Sequence, residues 1–226
     1  MNNINKNLWL IEFPRMVLGL FVVCNIIAML CYSGGTYLDH LTPGYSFTQN
    51  FFSDLGRTIS FAGKINYLSS QLSNMSMILA GGIFILFYFH TQKVFINRSN
   101  WVPAFIGSIF GILGGFSLIG VGLSPANLYL DLHIIFATWL FRFFFLASIC
   151  YSLVIFLQSN FEKKYALGYI VFAISILLYI FVSELGPDPK GNQFALTFQV
   201  ISQKIILFVF MTAIYIQTLG LKKLLK

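Results

Sequence analysis

An all-α fold, a polytopic six-helix transmembrane bundle, is what this sequence predicts, and three observations carry the prediction. Of 226 residues, 58% are hydrophobic and only 9% charged. Soluble domains are about a quarter charged, so this chain cannot wet the surface of a globule its size. Phe alone occurs 26 times, and the mean hydropathy is +0.80. Six apolar stretches reach the roughly 20 residues that a membrane-crossing helix needs. Finally, the basic residues separate by side once six spans are drawn. An ordinary soluble enzyme, a disordered chain and a nucleic-acid module are excluded. The formal charge of +7 reads instead as membrane topology.

The spans fall at about 12–33, 67–89, 102–123, 130–157, 166–183 and 195–219, with ends uncertain by several residues. The first apolar run, Met16 to Cys31, exceeds a signal-peptide core and has no small-x-small cleavage site after it, so it is expected to be retained. Gly34-Gly35 ends it. Span two has a polar first half, with Asn66, Ser69, Ser70, Gln71, Ser73, Asn74 and Ser76, and it stops before Asn97-Arg98-Ser99-Asn100. Span three carries Gly107, Gly111 and Gly115, a small-xxx-small stripe that suits close helix packing inside the bundle, with homodimerisation as the alternative. Ser124-Pro125 breaks the chain before span four, Glu162-Lys163-Lys164 before span five, and Gly186-Pro187-Asp188-Pro189 before span six. No internal repeat or low-complexity tract interrupts the series, so residues 1–226 read as one integral membrane domain. Cys24, Cys31 and Cys150 all fall in spans, which implies no disulfide framework.

Six spans place both termini with loops two and four. That side collects Lys6, Arg15, Lys93, Arg98, Lys163, Lys164, Lys222, Lys223 and Lys226, against Arg57, Lys64 and Lys190 opposite. The positive-inside rule then makes both termini cytoplasmic, and the expected location is a cell inner membrane. A five- or seven-span chain would scramble this separation. The carboxylates sort the other way: Asp39, Asp54, Asp131, Glu184 and Asp188 lie in outer loops, and only Glu12 and Glu162 lie inside.

The unusual local sequences are therefore outward. Loop one carries Tyr45-Ser46-Phe47-Thr48-Gln49-Asn50-Phe51-Phe52-Ser53-Asp54-Leu55-Gly56-Arg57, which is too apolar for a free loop. Such a segment is expected to be interfacial or re-entrant, lying against the helices with its backbone covered by protein. Ser53-Asp54 suits the cap of a short helix or a direct role in chemistry. His133 enters span four two residues after Asp131, so the two point about 200° apart on a helix and His133 needs a partner elsewhere. Asp54 and Glu184 are the obvious candidates. Arg142 in span four and Lys204 in span six lack a carboxylate at their own depth. An ionisable group inside a span is a functional-site hypothesis by default, so these cations call for an outer carboxylate or an anionic ligand. Gln199 and Gln203 stand one turn apart on one face of span six.

Phe52-Ser53-Asp54-Leu55-Gly56 after span one and Gly120-Val121-Gly122-Leu123-Ser124-Pro125 with His133 before span four form a pattern that resembles the six-span prokaryotic membrane proteins called domain of unknown function 998. The resemblance implies no activity, but it suggests Ser53, Asp54 and His133 as a shared outer site. A looser similarity is to alkaline-ceramidase and adiponectin-receptor-like membrane hydrolases, which hold zinc within a helical bundle. Those carry H-x-x-x-H in the last span, where this chain has Gln199-x-x-x-Gln203.

The expected function is an outward-facing polar pocket formed by spans two, four and six, serving as hydrolase or transferase for a lipid or lipid-linked substrate. His133 would act as general acid or base oriented by Asp54, with Ser53 alongside. The ligand-contacting set is Asn50, Arg57, Asn74, Asp131, Arg142, Glu184, Gln199, Gln203 and Lys204, with Arg142 and Lys204 holding an anionic head group. The alternatives are non-enzymatic binding or transport of a small anion or lipid, and a structural membrane subunit. No cofactor is expected; zinc on His40, His133 and outer carboxylates is the alternative. Partners are membrane lipids and a small anionic or lipid-like ligand, not nucleic acid.

Overall fold

The structure, a computed structural model, describes residues 6–95 and 100–225. Its helices are α1 (Phe13–Leu30), α2 (Tyr67–Thr91), α3 (Trp101–Leu123), α4 (Leu130–Leu157), α5 (Lys164–Leu185) and α6 (Gln193–Leu224). All six are long and apolar enough to cross a membrane. The chain is an all-α, multi-pass membrane protein. There is no strand among the described residues, only an isolated bridge between Ile59 and Ile65.

The boundaries depart from expectation at the first and last spans. The first apolar crossing begins at Leu8, because a π turn, Leu8–Glu12, leads into α1. Pro14 follows it at the helix start and has no N–H to give, and the Phe13 N–H reaches five residues back to the Leu8 carbonyl. α1 stops at Leu30, before Gly34 and Gly35 take positive φ. α6 runs past residue 219 to Leu224, with Lys222 and Lys223 in its last turn, where cations suit the helix dipole. Arg98 and Lys226 from the cation set, and residues 97–99 of the second break, lie outside the described residues.

Each helix packs on the next in sequence, and α6 closes on α1, so the six form a ring. At its centre lies an apolar hollow of about 50 Å³, to which every helix contributes a wall. Phe210 organises this core, with ring centroids 4.7 Å from Phe144 and 5.3 Å from both Phe84 and Phe172. The glycine stripe of α3 is internal packing. A Cβ at Gly111 would fall 2.3 Å from the Tyr88 ring, and one at Gly107 would fall 2.8 Å from Cys150 Cβ. Between them Ser108 donates to the Tyr88 carbonyl at 2.7 Å and meets the Tyr151 hydroxyl at 2.5 Å. This tie fixes the register of α2, α3 and α4.

Candidate functional site

Residues 31–66 form a cap over the end of the ring opposite both termini, as the aromatic pattern of loop one predicts. The chain can turn back there because Gly35 sits at φ +83° with Ala62 N only 2.3 Å from where a Cβ would stand. The Gly35 N–H then donates to Thr42 O at 2.8 Å, and the Ala62 N–H to Gly34 O at 3.1 Å. At the centre of the cap is a short 3-10 turn, Phe52–Gly56.

This turn has little regular hydrogen bonding of its own, and side chains from the helices hold its backbone. From α6, Gln203 Oε1 accepts the Phe52 N–H at 2.7 Å, and Lys204 Nζ donates to Asn50 O at 2.6 Å. From α2, Asn74 Nδ2 donates to Gly56 O at 3.0 Å and Ser69 Oγ to Leu55 O at 3.1 Å. Asn66, just before α2, donates to Arg57 O at 2.8 Å. Loop three supplies Asn127, whose Oδ1 accepts the Thr58 N–H at 2.9 Å. The sequence-named Asn50, Asp54, Arg57, Asn74, Gln203 and Lys204 are thus brought together. Of the polar half of α2, Ser69 and Asn74 face the cap, while Ser76 turns to Asn25 of α1 and Gln71 is exposed.

Asp54 is the titratable centre. It is buried, and its Oδ2 accepts the Phe51 N–H at 2.8 Å, with Asn50 Nδ2 at 3.4 Å. Reaching back to the amide that opens the turn is the work of an N3 acid in a helical cap. Capping is therefore done by Asp54 alone; Ser53 is half-buried and its hydroxyl makes no hydrogen bond among the described residues. Burial pushes the Asp54 carboxyl up to about 6, although Arg57, Asn50, the Phe51 amide and Lys204 all pull it down. Burial, and then the Asp54 charge, likewise raise the Tyr32 and Tyr45 hydroxyls above the ordinary tyrosine range.

Two cations stand against that carboxylate. Lys204 Nζ lies 5.4 Å from the centre of the Tyr45 ring and 5.0 Å from that of Phe47. The Arg57 guanidinium sits 4.0 Å over Phe61, and its Nε is closed off from water without an acceptor. The Arg57 charge acts on Asp54, Tyr32 and His133 alike. The Tyr32 and Ser60 hydroxyls are likewise buried without a partner, so Arg57 Nε is the charged one of three such groups among the described residues of the cap, which carries, with Asp54 ionised, one positive charge in excess.

The remaining expected residues lie elsewhere. His133 is buried, but its Nδ1 meets Ser124 O at 2.7 Å rather than Asp54 or Glu184. α4 starts soon after α3 ends, and a helix end leaves carbonyls unpaired; the first-turn histidine takes the nearest one. A carbonyl only accepts, which places the His133 proton on Nδ1. Glu184 is paired with Arg142 on the α4–α5 flank, with side chains 46% and 35% exposed. The outer carboxylate, not a ligand in a shared pocket, answers Arg142. Gln199 Nε2 donates to Val182 O at 2.8 Å and Pro187 O at 3.2 Å, tying down the end of α5 instead of joining Gln203 at the cap. Asp131 is exposed in the first turn of α4 and forms no ion pair among the described residues.

Five residues in or against the cap escaped a functional assignment from sequence: Tyr32, Tyr45, Asn66, Ser69 and Asn127. Tyr45 donates to the carbonyls of Asn50 and Phe51 at 3.2 Å each. Asn66 and Asn127 flank helix starts, and amides in such positions commonly satisfy neighbouring backbone. Among the described residues no three His, Cys, Asp or Glu side chains gather where they could hold a metal ion. His40 is exposed, with Nδ1 on Phe61 O at 2.6 Å, and is bound to no carboxylate among the described residues.

No curated protein and no solved structure matches the chain. The family model described as "Protein of unknown function (DUF998)" matches residues 26–215, a stretch that runs from α1 into α6 and takes in the whole cap, and the chain belongs to that family.

Proposed function

We propose that this is a cell inner-membrane protein, with cytoplasmic termini and an outward cap, that binds an anionic lipid or lipid-linked molecule at the cap. The distribution of cations supports the orientation: Lys6, Arg15, Lys93, Lys163, Lys164, Lys222 and Lys223 share the end that carries the termini, against Arg57, Lys64 and Lys190. The observation that carries the ligand assignment is Arg57, whose Nε is buried without an acceptor while Lys204 already leaves the cap with no need of a second cation. A phosphate or carboxylate oxygen at that Nε would complete the guanidinium and balance the charge. Bonds of this charge-assisted kind contribute about 1.5–3 kcal/mol each.

A lipid suits the cap better than a free anion because apolar side chains lie directly beneath it. Leu207, one turn below Gln203 and Lys204 on α6, lines the central hollow. Phe21 lines it too, and stacks on Phe52 of the cap at 5.6 Å. Binding or carriage without bond chemistry is favoured over hydrolysis or transfer, since no hydrogen bond among the described residues joins Ser53, Asp54 and His133 into a nucleophile–base relay. The test is calorimetric, in neutral detergent, with dodecyl phosphate, dodecylphosphocholine and inorganic phosphate as probes. Wild type is expected to bind dodecyl phosphate above the other two, and Arg57→Gln to weaken it at least about tenfold. Equal affinity in the variant refutes the assignment, and inorganic phosphate binding as tightly as dodecyl phosphate refutes the lipid part of it.

A further inference from the structure

A separate hollow lies near the opposite end of the bundle, where α5 and α6 leave a groove of about 270 Å³ between them. Leu167, Gly168 and Val171 form one wall, and Phe208, Thr212 and Ile216 the other. Gly168 sets the depth: a Cβ there would come within 3.0 Å of Ile216 Cγ2. The Thr212 hydroxyl turns back to Phe208 O at 2.9 Å, which ties up the hydroxyl within its own helix. From Lys164 to Val171 the groove follows α5 for about 10 Å along the helix axis.

Its mouth is cationic. Lys164 lines the groove and takes one oxygen of Glu162 at 2.6 Å, while Lys223 takes the other at 2.7 Å. The three are exposed and carry one net positive charge. We infer that this groove binds an anionic phospholipid of the leaflet on the side of the termini, with an acyl chain along α5 and α6 and the phosphate at Lys164 and Lys223. Charge complementarity selects this occupant: a zwitterionic lipid would bring its own cation to the lysines, and an apolar helix would leave the one net positive charge of Lys164, Lys223 and Glu162 unbalanced. Basic side chains at a membrane surface each contribute about 1 kcal/mol toward anionic lipid. The inference rests on the membrane placement of the helices and is independent of the ligand assigned to the cap.

Native mass spectrometry from neutral detergent tests it, with phosphatidylglycerol and phosphatidylcholine of matched chains offered in equal amounts. Wild type is expected to retain one phosphatidylglycerol with at least about tenfold preference. Lys164→Gln/Lys223→Gln should bring the preference within about twofold, and Thr212→Trp, which fills an exposed wall, should remove the adduct with the melting temperature unchanged. Retention of the adduct in Arg57→Gln places it at the groove. Equal retention of both lipids by wild type overturns the inference, as does an undiminished preference in the double variant. So does an adduct that Arg57→Gln alone abolishes, or a lipid-free dimer as the main species.

Discussion

Asp54→Asn isolates the electrostatic cost of the cap. The carboxyl is buried and stands at about 6, against 3.8 for an ordinary aspartate, so folding raises its affinity for a proton. Between those two values the folded chain holds a proton that the unfolded chain has released. Stability is therefore highest below about pH 4, falls as pH rises through the window, and is lowest above about pH 6. From one end of that window to the other the loss comes to about 3 kcal/mol. Asn keeps an acceptor for the Phe51 N–H but does not titrate. The assay is thermal unfolding in a neutral maltoside detergent from pH 4 to pH 7.5, with each value referred to the Asp54→Asn variant at the same pH. That reference removes the contributions of Asp39 and Glu162, whose carboxyls are held below the usual range by hydrogen bonds and so lose stability in acid. Wild type should lose ground to the variant steadily as pH rises from 4 to 6 and then run parallel to it. Curves parallel throughout would show that Asp54 is not a desolvated acid and would refute the burial cost assigned to it.

Two further outcomes follow from single contacts and a third from exposure. Gln203→Leu leaves the Phe52 N–H without its acceptor 2.7 Å away. It should cost about 1–3 kcal/mol and speed amide exchange at residues 50–57 while sparing α3 and α4. Gly111→Ala drives a Cβ into the Tyr88 ring; overpacking of this kind costs about 1–3 kcal/mol, readable as a lowered melting temperature. For orientation, cysteines placed singly at exposed Leu41 and Asn160 in a chain lacking Cys24, Cys31 and Cys150 should react with an impermeant maleimide from the outside at position 41 only. Outside labelling at 160 alone would invert the topology.

What the sequence disclosed, and what it withheld, divides along physical lines. Span number and approximate ends are local properties: an apolar run near 20 residues, closed by Gly, Pro or Asn, identifies itself without reference to the rest of the chain. Asn50, Asp54, Gln203 and Lys204 were legible for a related reason, since each sets a polar group in a setting that lipid would otherwise fill. Pairings were not legible, because they depend on how far one helix stands along its neighbour. Glu184, at the end of α5, meets Arg142, which lies twelve residues into α4. That offset follows from side-chain packing, as at Gly111 on Tyr88 and Ser108 on Tyr151, and neither the spacing of residues nor their charge reveals it. His133 shows the same limit at shorter range: its partner is a backbone carbonyl, which every residue carries and no sequence pattern marks.

The polar residues of α2 and α6 also change meaning once their partners are known. An irregular segment can sit against a bundle in lipid only if its backbone groups are satisfied by protein. Ser69, Asn74, Gln203 and Lys204 each satisfy such a group in the cap, as does Asn66 just before α2, so the presence of the four inside spans is accounted for by holding loop one in place. They do not by themselves imply a ligand. Arg57 differs in kind. Its carbonyl is bound by Asn66, yet its guanidinium Nε is withdrawn from water and unanswered. A buried donor left unpaired costs about 1–3 kcal/mol, more when it is charged. The Tyr32 and Ser60 hydroxyls of the cap are also buried without a partner among the described residues, but neither carries a charge; the charge on Arg57 is why the proposed anionic ligand is assigned to its Nε.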